Sequence, residues 1–524
     1  SRRQRQMCIR DSPIGIQTFQ TIREENKLYV DKTGYVHQLV SKGKYYFLSR
    51  PRRFGKSLLI STLKSFFEGR KDLFEGLEIS RYNHDWQSYP IFHLNLVNFD
   101  SSRVEGLHSI LNAHFASWEA IYGKDESEID YSQRFYGVIK RAYQKTGRKA
   151  VILVDEYDKA LTATMSDPAL NTEMRNILYP IYSCLKGADE FIRFAMLTGV
   201  TRFSHLSIFS GINNLLDISL SPKFGAICGI SQEELEKYFI PGIENFSAYR
   251  NSTPERTMQS LKDRYDGYHF SENCPDIYNP YSVMCALDSL RLGSFWYTTG
   301  TPEFLLDSLK ESNLYLPDLL HSETTEQQLV EVESYTRTPV ALLFQTGYLT
   351  IKYWEEGTDN LTLGFPNKEV EEAFFNGLLP AYSNKESFEA SDEINRFVKA
   401  VNTGDPETFI GNLKSFLADI PYELSKCKPE IYFENNLYII FKLLGYRVFS
   451  EYKTSKGRID LLIKTKDYIH LLEIKLNGSA ESAIDQINDK DYIAPFIADG
   501  RKIFKIGVNF SSVTRTIDSW LIER

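Results

Sequence analysis

The sequence contains no long apolar run, which sets the first limit on the class of protein. A helix that spans a bilayer needs about 20 consecutive, mostly apolar residues, and no stretch of the 524 residues approaches that length. The first ten residues, SRRQRQMCIR, are basic and lack the apolar centre of a secretory signal. We therefore expect no membrane partner, and we interpret residues 1–11 as a flexible N-terminus.

Cysteine is scarce and irregularly spaced. The six cysteines stand at positions 8, 184, 228, 274, 285 and 427, and no two of them form a C-x-x-C pair. Disulfide frameworks and thiolate zinc sites are both recognised by regular or close cysteine spacing. The pattern indicates neither kind of site, and it agrees with a reducing, cytoplasmic location.

The chain also lacks an excess of positive charge. It has 61 Lys and Arg against 69 Asp and Glu, which gives a formal net charge of −8. This balance argues against a protein that coats polyanions over its whole surface, although a local basic groove stays compatible with it. With 42% hydrophobic and 25% charged residues the composition is that of an ordinary globular protein.

The sequence is organised around residues 46–57, YFLSRPRRFGKS, in which a short apolar strand leads through a basic loop to GKS at the predicted start of a helix. A phosphate-binding loop has this order, because N–H groups at the helix N-terminus face the anion, the lysine reaches the outer phosphates and the hydroxyl holds Mg²⁺. The segment predicts a nucleotide site with contacts from Arg50, Pro51, Arg52, Arg53, Phe54, Gly55, Lys56, Ser57 and Leu58.

One position departs from the full loop pattern, G-x-x-x-x-G-K-[ST]. Arg50 stands where the pattern has its first glycine, which permits unusual backbone angles. The loop must therefore turn by another means, for example through Pro51. For this segment alone, a chance GKS at a helix start is an alternative to a phosphate site.

A second segment, VILVDE at residues 151–156, supplies carboxylates. Four apolar residues followed by two acids are typical of a buried parallel strand that ends at the ligand edge of a sheet. Asp155 would hold Mg²⁺, and Glu156 would orient and deprotonate the attacking water. A core strand that ends in solvated acids is the alternative for this segment alone. Together, and in this order, the two segments predict an ATP-hydrolysing P-loop NTPase.

Strands alternate with helices in this half of the chain, which predicts an α/β fold with a doubly wound parallel sheet. We expect strands at 91–99, 150–155 and 191–199, helices at 103–147 and 168–187, and an entry strand and turn at 14–33. Thr198, at the tip of the third strand, has the position of a residue that senses the γ-phosphate. Arg202 is a candidate phosphate contact on the same chain or a neighbour. A plain strand end and a surface arginine are the alternatives.

Several of these segments resemble a known family. YVDKT, RPRRFGKS, VILVDEYDKAL and LTGVTRFS are similar to the predicted AAA-ATPase-like family, which is found fused to nuclease-like domains. YDGYHF at 265–270 and YNPYSV at 278–283 resemble the middle region of that family. The resemblance covers residues 12–290 and implies an AAA-like ATPase core, in which Arg50 is an expected feature of the loop.

The middle of the chain carries less information. We expect a helical lid, followed by a helix, a two-strand hairpin and a helix between residues 335 and 385, which is the outline of a winged-helix unit. The hairpin tip, EEGTD at 355–359, is acidic and would oppose a phosphate backbone. We therefore favour a structural role for this unit over DNA docking.

A second group of polar residues lies near the C-terminus. Glu473 and Lys475 share one face of a predicted strand, because residues two apart in a strand point the same way. Asp460 begins the neighbouring strand. Two carboxylates beside a lysine make a hard-oxygen site for Mg²⁺ or Mn²⁺, in which the lysine positions water and offsets charge on a scissile phosphate. Gln486, on the following helix, is expected to reach the same cluster.

This group resembles the PD-(D/E)XK nuclease superfamily. Asp460 matches the first acid of the motif, although Ile459 stands where the motif name has proline, and Glu473 and Lys475 match its second half. The resemblance implies a restriction-endonuclease-like α/β domain, with Glu434 as the acid of its first helix and Gln486 as the glutamine after its core. A retained but inactive domain is the alternative.

The sequence thus predicts an ATPase core at 12–225, a helical lid at 226–330, a winged-helix-like linker domain at 331–400 and a nuclease-like domain at 401–524. We interpret the chain as an ATPase that gates or loads a Mg²⁺-dependent nuclease, with nucleic acid, DNA in preference to RNA, as its partner. The alternative is an ATP-dependent switch whose nuclease-like domain binds nucleic acid or protein without cutting. A homo-oligomer is left open.

Overall fold

A computed structural model describes most of the chain: residues 12–202, 215–296, 305–306, 308–309, 315–330, 339–383, 385–419, 429–447, 449–452 and 460–524. The description covers the backbone alone at 320–321, 330, 429–434, 446–447 and 449–452. The flexible N-terminus expected at residues 1–11 lies outside these ranges. Contacts divide the chain into two compact units, Ser1–Gly300 with His321–Val370 and Thr301–Leu320 with Glu371–Arg524. The division into four domains that we expect from the sequence stays a prediction.

The first unit is built on a parallel sheet with the strand order β2-β3-β4-β1-β5. Its strands are β1 (Tyr45–Ser49), β2 (Ile91–Asn95), β3 (Ala150–Asp155), β4 (Ile192–Gly199) and β5 (Leu216–Asp217). Strand β3 is buried along its whole length, as its continuous apolar sequence requires in a sheet covered on both faces. The predicted α/β fold with a parallel sheet is confirmed. Because β4 lies between β3 and β1, the acids and the phosphate loop emerge at one edge of the sheet.

The helices around this sheet mostly follow the predicted pattern. They are α1 (Phe19–Glu24), α2 (Thr33–Lys42), α3 (Lys56–Phe67), α4 (Val104–Tyr122), α5 (Tyr131–Thr146), α6 (Lys159–Ala163) and α7 (Pro168–Gly187). The strand expected within 14–33 is wrong, because Phe19 and Ile22, three residues apart, bury the same face of helix α1. The helical stretch expected at 103–147 consists of two helices, since the chain turns at Gly123 with φ 91° and Asp130 caps α5.

The rest of the first unit is mainly helical, as predicted. It contains β6 (Ile230–Ser231), α8 (Gln232–Tyr238), α9 (Ile240–Tyr249), α10 (Pro254–Tyr265), β7 (Ile277–Tyr278), α11 (Pro280–Ser289), β8 (Glu323–Thr325), α12 (Glu326–Val330), α13 (Pro339–Thr346), β9 (Thr350–Trp354) and β10 (Asn360–Gly364). The expected helix–hairpin–helix order is confirmed by α13, β9, β10 and α14 (Lys368–Ser383). Strands β9 and β10 pair as an antiparallel hairpin. Strand β8, which was not predicted, adds a third strand by pairing with β10.

The second unit carries a five-stranded sheet in the order β11-β12-β13-β14-β15. Its further elements are α15 (Ser387–Asn402), α16 (Pro406–Ala418), α17 (Pro429–Arg447), β11 (Phe449–Tyr452), β12 (Leu461–Lys464), β13 (Tyr468–Leu476), α18 (Ala480–Asp489), β14 (Lys502–Ser511) and β15 (Thr516–Glu523). Helix α18 connects the parallel pair β13 and β14. Gly507 allows helix α18 to pack closely against β14, because a Cβ at this position would collide with the carbonyl of Ala480.

Within the described ranges, no helix combines the length and the apolar character needed to cross a membrane.

Candidate functional site

The phosphate loop joins the end of β1 to the start of α3. Gly55, the residue before α3, has φ 94°, a left-handed conformation that glycine adopts at little steric cost. Arg53 also takes a positive φ, 68°, so the turn uses two left-handed residues. The first N–H groups of α3 have no partners within the helix, and an anion placed at this end would receive them.

Lys56 is held inside the loop. Its side chain is buried, and Nζ donates hydrogen bonds to the carbonyls of Arg50 at 2.9 Å and Pro51 at 3.0 Å. Burial lowers the pKa of this ammonium group, while the nearby charges of Glu156 and Asp155 act in the opposite direction. Lys56, which is predicted to bind phosphate, is thus buried near Asp155 and Glu156, the acids predicted to hold Mg²⁺ and to activate water.

Arg50 shows how the loop turns without its first glycine. Its buried guanidinium donates to the carbonyls of Ser219 at 2.7 Å and Phe224 at 3.1 Å, and it stacks over the ring of Phe270 at 4.1 Å. Burial lowers the pKa of the guanidinium to about 10. Arg50 therefore braces the loop from its buried side, and its contact with phosphate stays a prediction.

Asp155 and Thr198 meet across neighbouring strands. Thr198 Oγ1 donates to Asp155 Oδ1 at 2.8 Å, and both side chains are buried. In the sheet Thr198 also pairs with Leu48 of β1, the strand that leads into the phosphate loop. The structure therefore brings the predicted metal ligand and the predicted γ-phosphate sensor together beside the loop.

Glu156 follows β3 in a strained conformation. Its φ is 54°, which is uncommon for a residue other than glycine and is often found at functional sites. Burial raises the pKa of its carboxyl group, the charge of Lys56 opposes that shift, and the charge of Asp155 adds to it. A half-buried carboxyl group with a raised pKa is suited to accept a proton from water.

Asp158 was not among the residues predicted from the sequence. Its buried carboxylate accepts hydrogen bonds from the N–H groups of Val200 at 3.1 Å and Thr201 at 2.6 Å, and from the Thr201 hydroxyl at 2.7 Å. A Cβ on Gly199 would lie 2.6 Å from this carboxylate, so the glycine is needed. Asp158 thus joins the segments that follow β3 and β4. The only signal in the sequence was its place in VILVDEYDKAL.

The other predicted loop residues differ in how far they are buried. Phe54 is buried, with its ring 4.7 Å from that of Tyr268 and 5.5 Å from that of Phe270. Arg53 is exposed, and its guanidinium stacks over the ring of Tyr281 at 4.5 Å. The remaining loop residues lie at the same strand-to-helix turn, Pro51 buried and the others half-buried: Pro51, Arg52, Ser57 and Leu58.

Arg202 lies beyond the tip of β4. Its side chain pairs with Asp217 at 3.2 Å, and its N–H donates to Oε1 of Gln345 at 2.7 Å. The role of Arg202 as a phosphate contact stays a prediction.

The second group of polar residues gathers on the sheet of the second unit. Asp460 directly precedes β12, and its Oδ2 accepts a 2.9 Å hydrogen bond from the N–H of Ile474 on β13. The neighbouring Glu473 is buried. Burial first, and then the charge of Asp460, raise the pKa of the Glu473 carboxyl to about 7, and burial likewise raises the pKa of Asp460. Of the two carboxylates predicted to share a metal, Asp460 therefore acts electrostatically on Glu473.

Lys475 and Gln486 complete this cluster. Lys475 Nζ lies 3.4 Å from Glu473 Oε1 and donates to Oε1 of Gln486, whose Nε2 in turn donates to Glu473. Four of the predicted residues are thus in one place. Glu434 lies in helix α17, but its side chain is outside the described residues.

The donor set of this cluster fits a divalent cation. Glu473 Oε2 is buried and has no hydrogen-bond partner within the described residues, and a buried acceptor without a partner is costly. Mg²⁺ and Mn²⁺ prefer carboxylate oxygens, so a cation between Asp460 and Glu473 would remove that cost. The described residues contain no group of three or more His, Cys, Asp or Glu that could hold a metal. Water or a backbone carbonyl would therefore have to complete the coordination.

Comparisons with known proteins match the two regions of the chain that contain these candidate sites. Residues 13–209 match the family model "Predicted AAA-ATPase", and residues 428–520 match the model "PD-(D/E)XK nuclease superfamily". A protein of Azotobacter chroococcum mcd 1, "Uncharacterized protein in vnfD 5'region", is 33% identical over an alignment 525 positions long, which covers 98% of each chain. UPF0102 protein Atu0303 of Agrobacterium fabrum (strain C58) is 40% identical over 52 residues, 10% of this chain and 41% of that one.

One solved structure, that of the Aeropyrum pernix ORC2 protein in ADPNP–ADP complexes, matches 66% of this chain and 92% of its own at 12% identity. Its TM-score of 0.25 is too low to bear on the fold or the function. The match to the Azotobacter protein extends over nearly the whole of both chains, and the two family models match at the two predicted sites. The chain therefore belongs to the family of predicted AAA-ATPases whose C-terminal region is of the PD-(D/E)XK nuclease superfamily.

Proposed function

We propose that the chain hydrolyses ATP at its phosphate loop and uses this reaction to gate or load a Mg²⁺-dependent nuclease that cleaves phosphodiester bonds. The observation that carries the nuclease half is the cluster of Asp460, Glu473 and Lys475, in which one buried carboxylate oxygen of Glu473 has no hydrogen-bond partner within the described residues. We further propose nucleic acid, with DNA preferred to RNA, as the substrate, and a homo-oligomer as a form of the active protein.

In the ATPase half, Lys56 would exchange its two carbonyl partners for the outer phosphates of ATP. Glu156 is suited to accept a proton from the attacking water, because its pKa is raised by burial. Thr198 fixes the orientation of Asp155 through their hydrogen bond. Mg²⁺ held by Ser57 and Asp155 would neutralise charge on the phosphate oxygens.

In the nuclease half, Asp460 and Glu473 would hold the metal and Lys475 would stand beside the scissile phosphate. Lys475 can orient a water molecule and offset the negative charge that develops in the transition state. Gln486 holds the lysine in place by accepting a hydrogen bond from Nζ. A divalent metal held by Asp460 and Glu473 would supply Lewis-acid activation of the phosphate and would lower the pKa of water.

A non-cutting switch is the second candidate. Lys475 and Gln486 already supply two partners to Oε1 of Glu473, as in a polar cluster that is largely paired within the protein. In that case the second unit binds nucleic acid or protein, and ATP changes that binding.

Two variants separate these functions in the full-length chain. Lys56→Ala removes the phosphate-binding amine, and Asp460→Asn removes one metal ligand while keeping the side-chain size. If ATP turnover and cleavage are coupled, Lys56→Ala abolishes ATP hydrolysis and the ATP response of cleavage. Asp460→Asn then abolishes cleavage and leaves ATP hydrolysis intact. ATP-dependent binding of DNA without any cleavage by the unaltered protein would favour the switch.

A further inference from the structure

The chain reverses within residues 477–479, between the end of β13 and the start of α18. Lys475 lies just before this turn, and Gln486 lies in the helix after it. Lys475 Nζ donates a hydrogen bond to Oε1 of Gln486. Because strand and helix are joined so directly, the position of the first turn of α18 determines where Gln486 stands relative to the lysine.

This turn is close, and its backbone is strained. Asn477 has φ 54°, which is uncommon for a residue other than glycine. A Cβ on Gly478 would lie 3.1 Å from the Cβ of Lys475, so the turn folds directly against the lysine. Because a strained conformation persists only where its surroundings hold it, the contacts around the turn decide where α18 begins.

Asn509 of the neighbouring strand β14 holds the turn from its buried side. It stands opposite Lys475 in the parallel register, and only 5% of it is exposed. Asn509 Oδ1 accepts a 2.8 Å hydrogen bond from the N–H of Gly478, which directly precedes Ser479, the N-cap of α18. A buried side chain therefore fixes the backbone just before the helix begins.

A second set of contacts holds the turn from its solvent side. The side-chain oxygen of Asn477 accepts from the N–H of Ser512 at 2.9 Å and from its hydroxyl at 3.1 Å, and Nδ2 of Asn477 donates to the same hydroxyl at 2.8 Å. These bonds are exposed, so water can replace them when they are lost. The bond from Gly478 to Asn509 is partly buried, so we expect it to contribute more to the position of the turn.

We propose that Asn509 is a positioning residue of the nuclease site. By holding the N–H of Gly478 it fixes the start of α18, and α18 in turn presents Gln486 to Lys475. Asn509 thereby keeps the ammonium group of the lysine at a set place beside Glu473. This inference rests on the proposed nuclease function and adds to it a residue that acts through its neighbours.

The distance between Lys475 and Glu473 indicates what the loss of Asn509 would change. Lys475 Nζ lies 3.4 Å from Glu473 Oε1, and Gln486 is hydrogen-bonded to both residues. If α18 shifts, Gln486 no longer holds the ammonium group, which then pairs with the Glu473 carboxylate alone. Such an ion pair competes with a divalent cation for the carboxylate. Loss of Asn509 should therefore weaken metal binding and slow cleavage without changing the affinity for nucleic acid.

The hold on the turn is tested by amide hydrogen exchange in the full-length, metal-free chain, read on peptides that cover residues 478–486. We expect Asn509→Ala to speed exchange there at least tenfold. Asn509→Asp keeps the accepting oxygen and should stay within threefold of the unaltered chain. Asn477→Gly removes the solvent-side bonds, adopts the same φ readily and should also stay within threefold. An unchanged rate in Asn509→Ala, an equal increase in Asn477→Gly, or an increase across the whole second unit would overturn the proposal.

The effect on the site is tested by Mn²⁺ titration calorimetry without ATP, with Asp460→Asn as the blank, and by cleavage at varied Mg²⁺. We expect Asn509→Ala to bind Mn²⁺ at least fivefold more weakly, to need at least threefold more Mg²⁺ for half-maximal cleavage and to keep the KM for nucleic acid. Slower cleavage with an unchanged metal requirement would show a merely structural role and overturn the proposal. If the unaltered chain binds Mn²⁺ but cleaves no substrate, the proposed nuclease function fails, and Mn²⁺ affinity with hydrogen exchange still decides the role of Asn509.

Discussion

Thr198 donates a 2.8 Å hydrogen bond from its hydroxyl to Oδ1 of Asp155, and the two residues belong to neighbouring parallel strands. Both side chains are buried. Thr198 belongs to β4, which also pairs with the strand that leads into the phosphate loop. The orientation of the proposed metal ligand therefore depends on a residue from the strand beside that loop.

Thr198→Val tests this dependence. Valine has the shape of threonine and lacks the donor, so Asp155 loses a buried hydrogen bond that contributes about 1 kcal/mol to stability. We expect ATP hydrolysis to fall by one to two orders of magnitude, because the carboxylate is no longer held in one orientation. Thr198→Ser keeps the hydroxyl and is the matched control. Equal activity of the valine and serine variants would contradict this account.

Lys56→Ala should abolish ATP turnover, because it removes the amine that is expected to bind the outer phosphates. Within the described residues the buried ammonium group donates to two loop carbonyls, so its removal should also lower stability, by about 1–3 kcal/mol for each carbonyl left unpaired. Turnover is measured by phosphate release, and folding by thermal denaturation. Lys64→Ala, on the same helix, removes a surface pair with Glu68 and should leave turnover unchanged. Residual turnover in Lys56→Ala above a tenth of normal would exclude the assigned role.

Arg50→Gly restores the glycine of the full loop pattern, and we expect it to destabilise the protein. The guanidinium donates to several buried carbonyls, and leaving buried polar groups unpaired costs about 1–3 kcal/mol each. The urea midpoint of unfolding should therefore fall by an easily measured amount. Arg52→Gly, which alters a half-buried loop arginine, is the control. If Arg50→Gly were as stable as the parent, the bracing role would be wrong.

One physical reason explains which residues could be predicted from the sequence to lie together and which could not. Asp155, Thr198 and Lys56 were predicted together because the ends of parallel strands converge at one edge of a sheet. Glu473 and Lys475 were predicted together because alternate residues of a strand share a face. Both predictions depend only on the type and order of the elements along the chain.

The support that Arg50 gives to the phosphate loop and the contacts of Asp158 could not be predicted in this way. The carbonyls that receive Arg50 belong to a segment near residue 220, and no periodicity links it to the loop. Asp158 looked like one more acid after a strand, although it is buried by the backbone that follows Thr198. Helix α1 was missed because only tertiary packing shows that Phe19 and Ile22 form one buried face.

Glu369 gives the first unit a dependence on pH. This carboxyl group is buried, its Oε1 accepts from the N–H groups of Phe295 at 2.6 Å and Trp296 at 2.9 Å, and burial raises its pKa from 4.5 to about 7. Between these two values the folded chain binds a proton that the unfolded chain has released. The free energy of unfolding should therefore decrease as the pH rises from about 4.5 to about 7.

Glu369→Gln removes that titration while its amide oxygen can still accept the two N–H groups. We expect the fall in urea midpoint between pH 5 and pH 7 to become smaller, and stability at pH 7.5 to rise. Glu356→Gln, at an exposed position of the hairpin tip, is the control and should leave the profile of the parent unchanged. A Glu369→Gln profile identical to that of the parent would contradict the raised pKa.

The central claim is that Asp460 and Glu473 hold a metal that cleaves nucleic acid under the control of ATP. Its most direct test is a cleavage panel of single- and double-stranded DNA, RNA and branched forms with Mg²⁺ or Mn²⁺, each with and without ATP. Asp460→Asn serves as the blank, and Asp467→Asn, which alters an exposed acid on the turn between β12 and β13, serves as the matched control. The account predicts that the parent and Asp467→Asn cleave at least one substrate in a metal- and ATP-dependent manner and that Asp460→Asn cleaves none. Absence of cleavage by the parent on every substrate, or equal cleavage by Asp460→Asn, would contradict it.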